Sequence, residues 1–355
     1  MRNRTLITTV TYCMLVALTV SLVEGAEQPS SFGRGRFGLY GDWDIKVKFG
    51  EREMNSILAF SRDQQGNLTG QWISFWGIGE LKDVKFEQGN LSFTQTYRFG
   101  ENEFTSNFTG KIEEGKLTGT LTSDRGESPV EGKRSPRMPG AVGIWDVTSK
   151  MGDSQFTSTL VIKLDKEGKL TAEMKSERVE HTISDVQYEQ GRLTFKRKTK
   201  MGDSEWESTF EGSIDRQTDT LSGVVKSDRG EGTLEGKRFG TALIGTWSLE
   251  IASEQGTFKQ RLKVNPDLSA LYGTIPVQKV DIDGDKVTFK TVLEFGDQKF
   301  EMDFQGTLAV SKIAGEEGQP PEAKLTGEMK SPRGTSKITG KKVVRTFRRP
   351  TSATQ

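Results

Sequence analysis

Histidine and cysteine are almost missing from this chain: one of each in 355 residues, His181 and Cys13. That scarcity removes much chemistry, because Ser-His-Asp triads, Cys-His pairs and Cys/His zinc clusters need residues that are not there. An excess of either charge is missing too. Lys plus Arg number 50 against 49 for Asp plus Glu, so no bulk field draws in nucleic acid or an acidic membrane. Apolar material is thin, 33% against 28% charged, too little for a core buried on every side. That balance suits antiparallel sheets with one wet face, where every second residue is polar. The spacing of an amphipathic helix is absent throughout, and beyond the N-terminus no apolar run reaches a membrane span.

The single long apolar run, Leu6 to Val23, follows the basic start Met1-Arg2-Asn3-Arg4 and precedes the small residues Gly25 and Ala26. This pattern predicts a signal peptide over residues 1–26 and a secreted or periplasmic protein with no integral span after cleavage. An uncleaved N-terminal anchor is the alternative, weakened by the threonines between Thr5 and Thr11. Cys13 falls inside the removed segment, so no disulfide supports the mature chain and packing alone must hold it. Residues 27–40, with Pro29, Gly33 and Gly35, read as a linker.

What the chain does contain is a repeat. Gly41-Asp42-Trp43, Gly143-Ile144-Trp145 and Gly245-Thr246-Trp247 place three tryptophans at two steps of 102 residues. Leu117-Thr118-Gly119, Leu221-Ser222-Gly223 and Leu325-Thr326-Gly327 keep steps of 104. Two markers in phase define three units, 41–136, 143–240 and 245–343, with a basic tail at 344–355. Short joins containing Pro136 and Pro139 suggest neighbours that are close but separately folded.

Within the first unit, Gly-bearing turns cut eight short runs, and the other units repeat the breaks. Apolar residues alternate in each run: Leu91 and Phe93, then Leu193 and Phe195, then Val287 and Phe289 on the fifth; Phe104 and Phe108, Trp206 and Phe210, Phe300 and Phe304 on the sixth. The fold expected is all-β: three tandem antiparallel eight-stranded meander barrels, with β-sandwiches or an extended single-layer sheet as alternatives.

A Gly-x-Trp on the first strand and a base at the end of the last resemble the calycin pattern of lipocalins and avidins. Gly-x-Trp alone is a weak motif, and the resemblance covers only the two ends of each unit. It implies a terminal cation over the first-strand indole: Arg134 on Trp43, Arg238 on Trp145 and, departing from the arginine of the pattern, Lys342 on Trp247. Such a contact is worth ~0.5–2 kcal/mol. It also implies a barrel able to carry a ligand.

Candidate sites are few. Strict alternation puts Arg197 on the face of Leu193 and Phe195, where an unpaired charge is costly. The middle barrel could then hold a small acid on Arg197, beside Phe195, Trp206 and Phe210. Alternatively, Arg197 lies at the barrel mouth in water. His181, matched by Gly79 and Ile275 in the other units, reads as an incidental surface residue. Asp281-Ile282-Asp283-Gly284-Asp285 has its glycine too early for a calcium loop and reads as a hairpin turn. Ser-Asp-Arg-Gly-Glu at 123–127 and 227–231 reads as a turn whose glycine supplies positive φ. No metal or other cofactor is expected. The leading reading is a non-enzymatic binding or scaffold protein with a small amphiphilic ligand or another envelope or extracellular protein as partner. A secreted hydrolase using a carboxylate pair and a purely structural envelope spacer are the alternatives.

Overall fold

A computed structural model describes residues 38–343, apart from 64, 100–101, 255, 296–297 and 312–321. The expected signal peptide, most of the linker and the basic tail lie outside the described residues, as does most of 314–322, a Gly/Pro-bearing stretch that reads as an inserted loop tip.

Glycine turns and alternating apolar residues produce a meander of strands. The first eight are β1 (Gly41–Phe49), β2 (Arg52–Arg62), β3 (Leu68–Ser74), β4 (Gly77–Glu87), β5 (Asn90–Phe99), β6 (Asn102–Glu113), β7 (Lys116–Ser123) and β8 (Gly126–Arg134). Each pairs with the next, and β8 returns to β1 to close a barrel. The second set is β9 (Gly143–Met151), β10 (Ser154–Leu164), β11 (Leu170–Lys175), β12 (Glu180–Glu189), β13 (Arg192–Met201), β14 (Ser204–Asp215), β15 (Thr220–Ser227) and β16 (Gly230–Arg238). Here β16 pairs with β9, but β11 and β12 share no ladder, so the barrel is nearly closed with one open seam. The third set closes again: β17 (Gly245–Ser253), β18 (Gly256–Val264), β19 (Ala270–Tyr272), β20 (Ile275–Asp283), β21 (Lys286–Phe295), β22 (Gln298–Ser311), β23 (Glu322–Ser331) and β24 (Gly334–Lys342). Asp283-Gly284-Asp285 is the β20–β21 turn, with Gly284 at φ +60°.

Each barrel has its own core built on the same plan. A fifth-strand phenylalanine stacks on a sixth-strand one: Phe93 on Phe108 at 4.7 Å, Phe195 on Phe210 at 4.8 Å, Phe289 on Phe304 at 4.6 Å. Beside each stack two glycines face each other across strands six and seven, Gly110 and Gly119, Gly212 and Gly223, Gly306 and Gly327. Without a Cβ, the ring can lie against bare backbone.

The barrels are not independent beads. Strand β2 breaks alternation: Ser56, Ile57, Leu58, Ala59 and Phe60 are all buried. Leu58 and Phe60 face the first core, whereas Ile57, Ala59 and Ile73 form a separate outer cluster with Ile78 of β4, against Leu271 of the third barrel. The β3–β4 turn, Ser74-Phe75-Trp76-Gly77, seats at the third barrel, and Phe75 packs on that barrel's core. Gln260, fully buried on β18, donates to the carbonyls of Ser74 (3.0 Å) and Phe75 (3.3 Å). At the start of β1, Asp42 lies 2.9 Å from Lys263 and 3.2 Å from Arg261. Ile144 and Phe239 pack from the middle barrel onto the third core. Each barrel thus keeps its own core, and an apolar interface joins the first barrel to the third.

Candidate functional site in the middle barrel

Three buried tryptophans stand on the first strands of the three barrels. Their indole Nε1 atoms donate to a carbonyl four residues earlier: Trp43 to Leu39 (2.8 Å), Trp145 to Ala141 (3.0 Å), Trp247 to Leu243 (2.7 Å). Register places Arg134, Arg238 and Lys342 opposite them. The Arg238 guanidinium lies 4.1 Å from the Trp145 ring and the Lys342 ammonium 6.0 Å from that of Trp247. Arg238 also binds Val142 O, Gly140 O (2.8 Å) and Asp219 (2.9 Å). Arg134 donates to Tyr40 O, and Lys342 to Thr241 O (3.1 Å) and Ala242 O (2.9 Å). Burial pushes the Lys342 ammonium below its ordinary pKa, with the Asp219 charge opposing. These pairs tie the segment entering each barrel to the strand leaving it.

The inner face of the middle barrel is chemically unlike its neighbours. Leu193, Phe195, Arg197 and Thr199 of β13 alternate inward and are all buried. On β14, Trp206, Ser208 and Phe210 stand opposite Thr199, Arg197 and Phe195. Arg197 is only 8% exposed. Its Nε donates to Ser208 Oγ at 3.2 Å and its Nη1 reaches the Met174 sulfur at 3.8 Å. No carboxylate among the described residues forms an ion pair with it. The corresponding third-barrel residue, Thr291, is instead satisfied by Pro276 O at 3.0 Å. Desolvation lowers the Arg197 pKa, yet a guanidinium keeps its charge in proteins. The expected site residues thus share one inner face: Phe195 and Phe210 form the stack below Arg197, and Trp206 stands above.

Sequence reasoning does not single out Ser208 or Met174, and it reads His181 as a surface residue and Arg229 as part of a turn. Ser208 was legible, being the alternate residue between Trp206 and Phe210. His181 is half-buried rather than an incidental surface residue: it sits opposite Thr199, with Nδ1 3.1 Å from Thr199 Oγ1. The Arg of the Ser-Asp-Arg-Gly turn also has a place. Arg229 lies 4.3 Å over Trp206, as Arg125 lies 5.2 Å over Phe104 and Arg333 5.2 Å over Phe300. The glycine after each arginine has positive φ, +110°, +121° and +116°, so the turn holds its arginine over a sixth-strand aromatic in every barrel.

Burial first, and the Arg197 charge second, push the His181 pKa from 6.5 down to about 4. Between those values an unfolded chain takes up a proton that the folded one refuses. This residue therefore costs the fold stability as pH falls from 6.5 towards 4, and nothing further below that. His181→Asn, which does not titrate, is expected to show a smaller drop in Tm than the parent between pH 7 and pH 4.5. Equal drops would refute the assignment.

Two open depressions mark the described sheet surfaces, one lined by Gly191, Arg192, Glu211 and Gly212 and the other by Gly306, Thr326, Gly327 and Lys337. Neither includes Arg197. No group of three or more His, Cys, Asp or Glu among the described residues could hold a metal, and no described helix is long and apolar enough to cross a membrane.

No family model matches the chain, and no curated protein matches it. Among solved structures, a protein of unknown function from the DUF3598 family of Nostoc punctiforme aligns with 12% identity and a TM-score of 0.19, over 86% of this chain and 97% of that one. A putative outer membrane protein from Bacteroides fragilis aligns with 11% identity and 0.22, over 85% and 97%. Transferrin binding protein B from Haemophilus parasuis, as a double mutant, aligns with 13% identity and 0.20, over 85% and 74%. Scores this low carry no weight for function.

Proposed function

We propose that this is an exported, non-enzymatic binding protein of three calycin-like barrels, whose middle barrel holds a small acid on Arg197. One observation carries the reading: a guanidinium that is 8% exposed and, among the described residues, donates to a hydroxyl and a thioether rather than to a carboxylate. A buried cation without a counter-charge is costly, and a carboxylate supplies both the charge and a bidentate acceptor. Phe195 and Phe210 below and Trp206 above offer apolar walls to a compact ligand. Location outside the cytoplasm rests on the N-terminal sequence. A protein-binding scaffold is the second reading, favoured by the third barrel's reception of the Ser74–Gly77 turn. The hydrolase alternative has less support, because Glu205, Glu207 and Glu211 of β14 are exposed, and Glu205 and Glu211 pair with Lys198 and Arg192.

Calorimetry on the full chain with benzoate tests the site. The parent is expected to bind, and Arg197→Met to lose at least about tenfold in affinity, roughly 1.4 kcal/mol. Arg197→Met is also expected to match or exceed the parent in denaturant midpoint, because an apolar side chain replaces an uncompensated buried cation. Equal benzoate binding by both chains would sink the reading.

A further inference from the structure

We propose that His181 and Thr199 form the second half of the Arg197 site, so that the middle barrel takes up a small organic acid together with one proton. This rests on the anion-site reading above and specifies its ligand: a monocarboxylate with a compact apolar body.

The geometry begins with register. His181 faces Thr199 and Ile183 faces Arg197, so imidazole and guanidinium lie two residues apart along the same inner wall. A guanidinium has five N–H donors. In Arg197, Nε is taken by Ser208, and Nη1 is directed at a thioether, a weak acceptor that a carboxylate oxygen would replace. The imidazole is held through Nδ1 at 3.1 Å from Thr199 Oγ1. Its strand, β12, is one edge of the open seam, and Met174 of β11 stands at the other. Met174, Ile183 and Trp206 provide the apolar surface for the ligand's body.

The charges around His181 set the sign of the linkage. On the inner wall stand Arg197 of β13 and, at the mouth, Arg229 of the β15–β16 turn over Trp206. Glu180 of β12, Glu173 and Lys175 of β11, Lys198 and Lys200 of β13, and Glu205 and Glu207 of β14 are all exposed on alternate positions. Cationic charge thus dominates inside, and it disfavours the imidazolium. A carboxylate seated on Arg197 cancels that effect and attracts a proton to His181. By reciprocity, protonating His181 tightens the carboxylate to the same degree. The balance is simple: one carboxylate and one proton enter, the proton resides on the imidazole, and no covalent bond changes.

The chain's single histidine makes the test direct. Imidazole NMR on full-length protein lacking a histidine tag follows His181 without overlap. Its midpoint, near 4 in the free protein, is expected to rise by at least about one unit in saturating benzoate. Calorimetry from pH 7.5 to 4.5 in two buffers of different ionisation enthalpy supplies the second readout. The parent's affinity for the benzoate anion is expected to climb below about pH 5.5, towards a limit of about tenfold for each unit by which the midpoint rises, with net proton uptake. His181→Asn should bind the benzoate anion with an affinity that does not change with pH and without linked proton uptake. PH-independent benzoate binding without proton uptake by the parent overturns the proton linkage yet leaves the Arg197 site intact. So does equal proton uptake by parent and His181→Asn. Absence of benzoate binding by the parent at every pH overturns both.

Discussion

Gly223→Ala is expected to lower the stability of the middle barrel by more than about 3 kcal/mol, a larger loss than most single-methyl insertions cause. A Cβ at that position would lie 2.4 Å from Glu211 O, 2.5 Å from Gly212 Cα and 2.6 Å from Phe210 Cε2. Two of these neighbours are backbone, so no rotamer change relieves the crowding. Strands β14 and β15 must separate, or the Phe195–Phe210 stack must leave its place. The first and third barrels repeat the experiment, since a Cβ at Gly119 would lie 2.5 Å from Thr109 O and one at Gly327 2.3 Å from Gln305 O. Ser222→Ala, at an exposed neighbouring position on β15, is the control and should change little. Denaturant unfolding of the full chain reads both, and an unchanged midpoint for Gly223→Ala would refute the packing account.

Trp145→Ala should have an effect of similar size for the opposite reason. The indole is fully buried and donates to Ala141 O at 3.0 Å. Truncating a buried Trp costs about 3–5 kcal/mol in transfer and cavity terms. Arg238 would also lose the ring 4.1 Å beneath it, another ~0.5–2 kcal/mol. Trp145→Phe keeps a ring but no donor, and should fall between the parent and Trp145→Ala. Arg238→Lys imitates the third barrel's own solution, in which Lys342 reaches two carbonyls at a longer ring distance of 6.0 Å. It should cost less than either Trp change, because the cation and some carbonyl contacts persist. A Trp145→Ala chain with the parent's midpoint would show that the buried indole and its contacts contribute no stability.

Much of the fold was readable because period-two alternation and glycine turns are local, and because three copies average out the noise of one. The tryptophans and the inward face of β13 follow from spacing, and the terminal bases from the calycin resemblance. The same local reasoning misjudged His181. Comparing units treats a residue unique to one copy as incidental, whereas a strand's inner wall is where a copy can differ in function. It was also silent about the open seam, because the residues of β11 and β12 alternate no worse than their counterparts. The buried run Ser56–Phe60 was a signal left unread: apolar residues on both faces of a strand mean that the outer face is covered by something. What covers it comes from a distant part of the chain, which spacing cannot reveal.

The hydrogen bond from Gln260 back to Ser74 spans 186 residues, and this has a consequence for how the molecule is made. A chain synthesised from its N-terminus completes the first barrel long before the third exists. Until then Ile57, Ile73 and Phe75 face water on a finished barrel, while the whole middle barrel is still to come. During that interval the third barrel of an older copy offers the same Gln260 and Leu271 to the waiting turn. Assembly within one molecule thus competes with assembly between molecules, and crowding or slow elongation favours the second. The surface that makes the finished protein one body is, during its birth, the one most exposed to the wrong partner.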